Sequence, residues 1–348
     1  MQKSHFVNAF LIGTTAIAVA GAAIAQNPEE RVRATRAQAQ PAAADEKLDG
    51  TVFHAQVLLD RAGFSPGVID GMAGIALEAA LKGFQQARGL EATGELDNPT
   101  RAALLQDHVP STRRLRIDES DAQGPFGPVP KEPEDQAKLD RLPYRNLLEK
   151  IAEKFHTTPE TIIALNSPDT VLRAGSVLRL PNVLPSSRDY GDVKPEVAQL
   201  LSDLNVDPRQ PDAERVVVDK SDKVVRVLGA GDRLVAQFPA TMGSEKDPLP
   251  LGHWEVLSVA YYPPFKYQPR LFWDADPGDE EALLPPGPNG PVGVVWIDLD
   301  REHIGLHGTN SPETIKRAES HGCVRLTNWD AARLTRMIED GIPVVFQS

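Results

Sequence analysis

Cysteine is nearly absent from this sequence: among 348 residues there is one, Cys323. A single thiol can form neither an internal disulfide nor a cysteine-ligated zinc site. Positive charge is also scarce, with 37 Lys and Arg against 49 Asp and Glu and a net charge of −12. That balance argues against a general nucleic-acid binder, because phosphate recognition runs on clustered cations; no nucleic-acid partner is expected. What is present, 41% hydrophobic and 25% charged residues with 30 Pro and 26 Gly, fits globular domains joined by connectors. It does not fit a coiled coil, a disordered chain or a multi-span membrane protein. The length suggests two or three domains.

Residues 1–25 read as a signal peptide. Lys3 precedes an apolar stretch from Phe6 to Ile24, and Ala23-Ile24-Ala25 is a small-residue cleavage signal. The competing reading is an uncleaved anchor, disfavoured by the short, Ala-rich span. The mature protein is then expected to start near Gln26, outside the cytoplasm. Residues 26–50 lack apolar periodicity and read as a disordered spacer.

Residues 51–107 read as a small all-α module. Ala55, Leu58, Leu59 and Ala62 share a helical face, and Leu77, Ala80, Leu81 and Phe84 give a second. Asn98-Pro99 opens a third helix as N-cap and first helical position. The string Leu58, Gly63, Asp70-Gly71, Gly74, Phe84-Gln85, Gly89-Leu90, Thr93-Gly94 and Thr100 resembles the peptidoglycan-binding type-1 domain. The alternative is a helical spacer. Residues 108–143, with six prolines from Pro110 to Pro143, read as a semi-rigid linker.

Residues 144–183 carry two short helices, one striped by Leu147, Leu148, Ile151 and Phe155 and one capped by Thr158-Pro159, then a terminal strand through Leu178 and Leu180. This pattern resembles a LysM glycan-binding module of small α+β type, degenerate because its usual first strand is missing before Leu147. Glycan binding and a purely structural role both stay open. Residues 184–213 read as a polar connector. From 214 to 348 the texture is β, with Val216–Val218, Val224–Leu228, Leu234–Phe238, Val256–Tyr261, Gly293–Leu299 and Pro343–Phe346 as strands. One late helix through Leu334, Met337 and Ile338 stops at Gly341. The expected fold is a mainly β, β-sandwich-like C-terminal domain after two small modules.

The chemistry concentrates in Ile304-Gly305-Leu306-His307-Gly308-Thr309-Asn310 and Ser320-His321-Gly322-Cys323-Val324-Arg325-Leu326. The thiolate is the reactive form of cysteine, and a nearby imidazole can take its proton. Glycines beside a nucleophile admit a substrate carbonyl and free backbone N–H groups for an oxyanion. Arg325, two residues on in a strand, projects to the same side as Cys323 and suits a carboxylate. A lone cysteine is most often an inert small hydrophobe, but His307, His321, three Gly and Arg325 accompany this one between residues 305 and 325. A zinc site of His307, His321 and Cys323 lacks a fourth ligand, so no metal is expected.

These residues look like the active-site signature of the L,D-transpeptidase (YkuD-type) family, and Met242-Gly243 with Leu249-Pro250-Leu251-Gly252-His253-Trp254-Glu255-Val256 resembles its upstream strand. The resemblance implies acyl transfer at peptidoglycan, with stem peptides and glycan as partners and no cofactor. Cys323 would be the nucleophile and His307 the base and acid, with Gly308 orienting the imidazole through its carbonyl. Gly322 and Cys323 would supply oxyanion N–H groups, with Ser320 and His321 in support. Arg325, Thr309 and Asn310 would meet the stem peptide. The acyl acceptor stays open: a second stem's amine, an envelope protein's amine, or water in an L,D-carboxypeptidase. A wall-binding scaffold is the rival from another class; a papain-like peptidase is disfavoured by the β-meander and the short His-to-Cys spacing. The Pro-rich, acidic stretch 263–290 reads either as a lid or as a solvated loop. The expected location is the periplasm or cell envelope.

Overall fold

The computed structural model describes residues 50–348 apart from Asp274 and Pro277. The expected signal peptide lies outside the described residues, as does the expected spacer up to residue 49; Gly50 already opens the first helix. Helices α1 (Gly50–Arg61), α2 (Ile75–Ala87) and α3 (Asn98–Leu104) enclose Leu58, Leu59, Phe64, Leu77, Leu81 and Phe84. The residues that carry the resemblance here are fold-makers. Gln85, fully buried, accepts from the Gly94 N–H and donates to the Glu95 carbonyl and the Thr100 hydroxyl, each at 2.9 Å, which locks the turn before α3. The N-cap of α3 is Asp97, whose carboxylate accepts from the Thr100 N–H at 2.9 Å, one residue earlier than the expected Asn98. Helix α1 buries a second face: Phe53 and Val57, with Ile69, pack into the core of the next module.

That module holds α4 (Leu147–Lys154), capped by Asn146, and α5 (Pro159–Leu165), capped by Thr158. Its strand β2 (Val177–Pro181) is not alone. Residues 112–116, expected to be linker, form β1 (Thr112–Arg116), antiparallel to β2 with Leu115 opposite Leu178. The missing first strand is thus present, 30 residues upstream of α4 and hidden in the Pro-containing segment. That segment is no free linker: it makes single helical turns at Glu119–Ala122 and Pro133–Gln136, and it buries Ile117 and Leu142. The connector 184–213 needs the same correction. It contains α6 (Pro195–Asp203), whose Val197, Leu200 and Leu201 enter the C-terminal core.

The C-terminal domain is a nine-stranded sheet in the order β5-β4-β3-β13-β7-β10-β11-β12-β6. The strands are β3 (Arg215–Asp219), β4 (Val224–Gly229), β5 (Arg233–Pro239), β6 (Thr241–Met242), β7 (Gly252–Tyr261), β10 (Val295–Leu299), β11 (Gly305–His307), β12 (Val324–Arg325) and β13 (Pro343–Gln347). Between β7 and β10 stands a hairpin of β8 (Phe265–Tyr267) and β9 (Ala282–Leu284). The two edge strands, β5 and β6, are consecutive in sequence with only Ala240 between them. The sheet must therefore curl until its edges nearly meet, around Phe238, Phe346, Val295 and the wholly buried Trp329. Helix α7 (Asn328–Leu334) starts earlier than expected, at a Thr327 cap, and packs on β10 and β11.

The modules join through buried polar groups rather than through connectors. Residues Gly63–Ser65 pair with β5: the Ser65 N–H donates to the Gln237 carbonyl at 2.9 Å and the Gln237 N–H to the Gly63 carbonyl at 3.0 Å. This covers a sheet edge that would otherwise template association. Beside it, the buried Asp60 carboxylate of α1 accepts from His156 Nδ1 at 3.1 Å and from Arg333 Nη2 at 3.2 Å. His156 also donates through Nε2 to the Leu204 carbonyl at 2.8 Å and stacks on Trp329 at 5.1 Å between centroids. Ser65 donates to Asp330 at 2.7 Å. Burial by itself raises the Asp60 pKa, but the charges and hydrogen bonds of Arg333 and His156 overcome it and hold the carboxyl well below the usual range.

Asp60→Asn would leave Arg333 buried without its counter-charge. The variant is expected to lose about 3 kcal/mol or more of unfolding free energy, read by urea denaturation of the full chain. A loss below about 1 kcal/mol, as for an exposed pair, would show that the junction is not cohesive.

Candidate active site

The site is built where two short parallel strands meet. β11 and β12 pair with His307 opposite Arg325 and Leu306 opposite Val324. Residues opposite each other share a sheet face, and so do residues two apart. His307, Gly305, Arg325 and Cys323 therefore line one face, although Cys323 lies 16 residues beyond His307 in the chain. On the other side of β11, Trp296 of β10 is the cross-strand partner of His307. Its indole stacks on the imidazole at 5.4 Å between centroids and 16° between planes, and its Nε1 donates to Asp298 at 3.1 Å. Gly305 has to be glycine here, since a Cβ would fall 2.6 Å from the Trp296 ring.

His307 is 4% exposed, and its Nδ1 lies 2.7 Å from the Gly308 carbonyl. A carbonyl only accepts, so the neutral ring carries its proton on Nδ1 and leaves Nε2 as the basic atom. Burial lowers the His307 pKa first, and the Arg325 charge second; the Gly308 bond opposes both, and the value settles at about 4. Cys323 is half-buried, with Sγ 3.4 Å from the His303 carbonyl. Burial pushes its thiol up, while the Gly305 backbone N–H and the Arg325 charge pull it down; the net shift is upward. Burial thus favours the neutral form of both groups.

The remaining expected residues divide by role. Ser320 is 2% exposed; its hydroxyl donates to the Cys323 carbonyl at 2.6 Å and accepts from the Gly243 N–H at 2.6 Å, pinning the Cys323 turn to the end of β6. Gly322 has φ +96°, a conformation glycine adopts without strain. Arg325 donates to the Glu319 carbonyl at 3.4 Å and sits beside His307, so it shapes both active groups electrostatically. Thr309, expected to meet substrate, is 5% exposed, and its hydroxyl closes a turn onto the Ser311 N–H. Asn310 is exposed and donates to the Asn289 carbonyl at 3.2 Å. His321 faces the stretch 263–290.

That stretch is a folded hairpin rather than a solvated loop. Phe272 meets Tyr267 at 5.5 Å and the His321 ring edge-on at 4.9 Å; Trp273 lies 5.6 Å from His321 with the Lys246 ammonium 3.8 Å above it. The hairpin is tied at its other end to the segment just before the second module, where the Leu142 N–H donates to the Pro286 carbonyl and Asn289 to the Pro143 carbonyl. Among the described residues no cluster of His, Cys, Asp and Glu could hold a metal ion. Sequence reasoning missed Trp296 and Asn328. Strand alternation around His307 could have found the first; nothing local marks the second.

Residues 213–346 match the YkuD family, described as the L,D-transpeptidase catalytic domain. The chain is thus similar, over these residues, to L,D-transpeptidase catalytic domains. It adds a "Putative peptidoglycan binding domain" at residues 49–104 and a LysM domain at residues 147–181. The protein of Bacillus licheniformis named "Putative L,D-transpeptidase YkuD" is 25% identical over 201 residues, covering 57% of this chain and 91% of that protein. Its namesake in Bacillus subtilis is 42% identical over 57 residues, covering 16% of this chain and 35% of that protein. A solved L,D-transpeptidase from Mycobacterium smegmatis is 23% identical with a TM-score of 0.31, over 38% of this chain and 58% of that one. The family assignment rests on the sequence matches.

A buried thiol with a raised pKa reacts slowly until pH exceeds the usual thiol range. Alkylation of Cys323 by iodoacetamide is expected to rise with pH above that of a free thiol. Arg325→Ala, which removes a charge that lowers the thiol pKa, is expected to move the midpoint further up. A midpoint below neutrality in the wild type would sink the neutral-pair description.

Proposed function

We propose that the protein is a peptidoglycan L,D-transpeptidase that forms a thioester on Cys323 with a tetrapeptide stem and passes it to an amine. The single observation that carries this reading is the in-register pairing of β11 with β12, with the His307 ring fixed on the Gly308 carbonyl. In the first step His307 Nε2 takes the thiol proton as Sγ bonds to the carbonyl carbon of the third stem residue. The N–H groups of Gly322 and Cys323 hold the oxyanion. The carbon–nitrogen bond to D-Ala then breaks, and the leaving amine takes the proton from His307. In the second step an acceptor amine attacks the thioester, gives its proton to His307, and the thiolate leaves and is reprotonated.

The acceptor in this reading is the side-chain amine of a second stem, giving a 3→3 cross-link. The aromatic hairpin over His321 supports an amine over water, because apolar cover slows hydrolysis of a reactive acyl group. Arg325 receives a stem carboxylate. The peptidoglycan-binding and LysM domains support peptidoglycan as the partner and the cell envelope as the setting. Export through residues 1–25 completes the proposal.

Intact-mass measurement after incubation with a tetrapeptide donor is expected to show an acyl adduct on the wild type, none on Cys323→Ala, and release of D-Ala. Cross-linked dimers identify the stem amine as acceptor, tripeptide identifies water, and an attached polypeptide identifies an envelope protein. Undiminished turnover by Cys323→Ala would overturn the nucleophile assignment and favour a wall-binding scaffold.

A further inference from the structure

The imidazole of His307 is oriented by the Gly308 carbonyl, and Gly308 in turn packs against a side chain from α7. Asn328 is fully buried, and its Oδ1 fills the space where a Cβ on Gly308 or Gly293 would lie, 2.0 Å and 1.9 Å from those positions. The amide has one orientation. Oδ1 accepts from the Val294 N–H at 3.1 Å, which forces Nδ2 to the opposite side. There Nδ2 donates to Glu153 Oε1 at 2.5 Å and, more weakly, to the Pro288 carbonyl at 3.4 Å. Glu153 belongs to α4 of the LysM domain, 175 residues upstream of Asn328.

We propose that Glu153 is a positioning residue for His307, supplied to the catalytic site by the LysM domain. The inference rests on the reading of His307 as the catalytic base. An Asn amide held at one end only can rotate, and the peptide plane packed on it is then free to tilt. A tilt of the Gly308 carbonyl turns the imidazole and weakens the bond that keeps the proton on Nδ1. Glu153 suits the task because it is kept neutral. Burial raises its pKa first and the Glu149 charge adds to that, while bonds from Asn328 and Tyr144 oppose; the value is about 8. At neutral pH a protonated carboxyl accepts the Asn328 bond without placing a charge behind the base. The LysM domain thereby takes part in catalytic geometry, whatever it binds.

Three variants of the full chain test this. Glu153→Met keeps the length and the helix preference but accepts no comparable hydrogen bond. Glu153→Gln mimics the neutral carboxyl. Asn328→Ser breaks the same link without touching α4, should Glu153→Met fail to fold. Two readouts are followed: the His307 ring-nitrogen NMR signals in histidine-labelled protein, and the rate of Cys323 acylation by a tetrapeptide donor. Glu153→Met and Asn328→Ser are expected to show a mixed His307 tautomer and to acylate about tenfold slower at unchanged donor KM, as a small misplacement of a reacting group does. Glu153→Gln is expected to stay within about twofold of wild type. A folded Glu153→Met with an unaltered His307 tautomer overturns the proposal. A mixed tautomer with undiminished acylation supports the positioning role and overturns the reading of His307 as base, so the two failures are distinguishable.

Discussion

The architecture depends on one carboxylate. Asp60 leaves α1, the helix of the peptidoglycan-binding domain, and meets a cation from α7 of the catalytic domain and an imidazole from the LysM domain. His156 sets one ring nitrogen against the Asp60 carboxylate and the other against the Leu204 carbonyl, and its φ of +55° shows a backbone held by its surroundings. Such a cluster contributes little net stability, because desolvating the charges offsets most of their attraction. Its effect is on geometry. Three domains each contribute one member of a single cluster, and any sliding of one domain strands a buried charge or donor. The penalty is steep and directional, whereas the apolar contacts around it, such as Phe53 and Val57 of α1 against the LysM core, tolerate small shifts.

A fixed junction matters because the catalytic strands are short. β11 has three residues and β12 two, too few to hold a reactive geometry by ladder hydrogen bonds alone. Their placement comes from outside. Trp296 and Gly305 clamp one side of the imidazole, Ser320 ties the nucleophile turn to Gly243, and Asn328 packs under Gly308. Two of the domain contacts reach this frame directly. Leu142 and Pro143 hold the 286–289 corner of the aromatic hairpin, and Glu153 meets Asn328. The segment just before the LysM domain thus buttresses the aromatic hairpin, and the LysM domain itself reaches the frame around His307. In binding proteins linked by flexible connectors such contacts are small and polar and the domains move; here the described domains form one compact unit.

What was legible in the sequence follows from range. Local signals were readable: the turn glycines before α2 and α3, the Thr158 cap, the hydrophobic strands β3, β4 and β10, and the paired motifs around His307 and Cys323. β1 was not, because Thr-Arg-Arg-Leu-Arg carries one apolar residue and faces solvent on one side, and Pro-containing flanks hid it. Helix α6 was obscured in the same way by the prolines at 185, 195, 208 and 211. The junction was invisible for a different reason. Asp60, His156 and Arg333 are separated by 96 and 273 residues from their partners, and nothing in a polar residue's neighbours says that it is buried. Asn328 lies in the helix after the signature, yet its role is set by two glycines and a glutamate from elsewhere.

Burial favours the neutral forms of His307 and Cys323, and this bears on the single cysteine. A thiol that stays protonated is a poor target for oxidants and stray electrophiles, since the thiolate is the species that reacts. With no second cysteine to pair with, Cys323 needs protection only from small molecules, and burial supplies it. The same burial that lowers the His307 pKa keeps Nε2 free of a proton, as the proposed base requires. A preformed ion pair would make the nucleophile stronger at rest and less selective in what it attacks. Under the proposed mechanism, ionisation would be coupled to arrival of the acyl donor, and selectivity would then depend on how accurately the imidazole is aimed. That is why so many of the residues that hold the ring, from Trp296 to Asn328, make no move toward the sulfur at all.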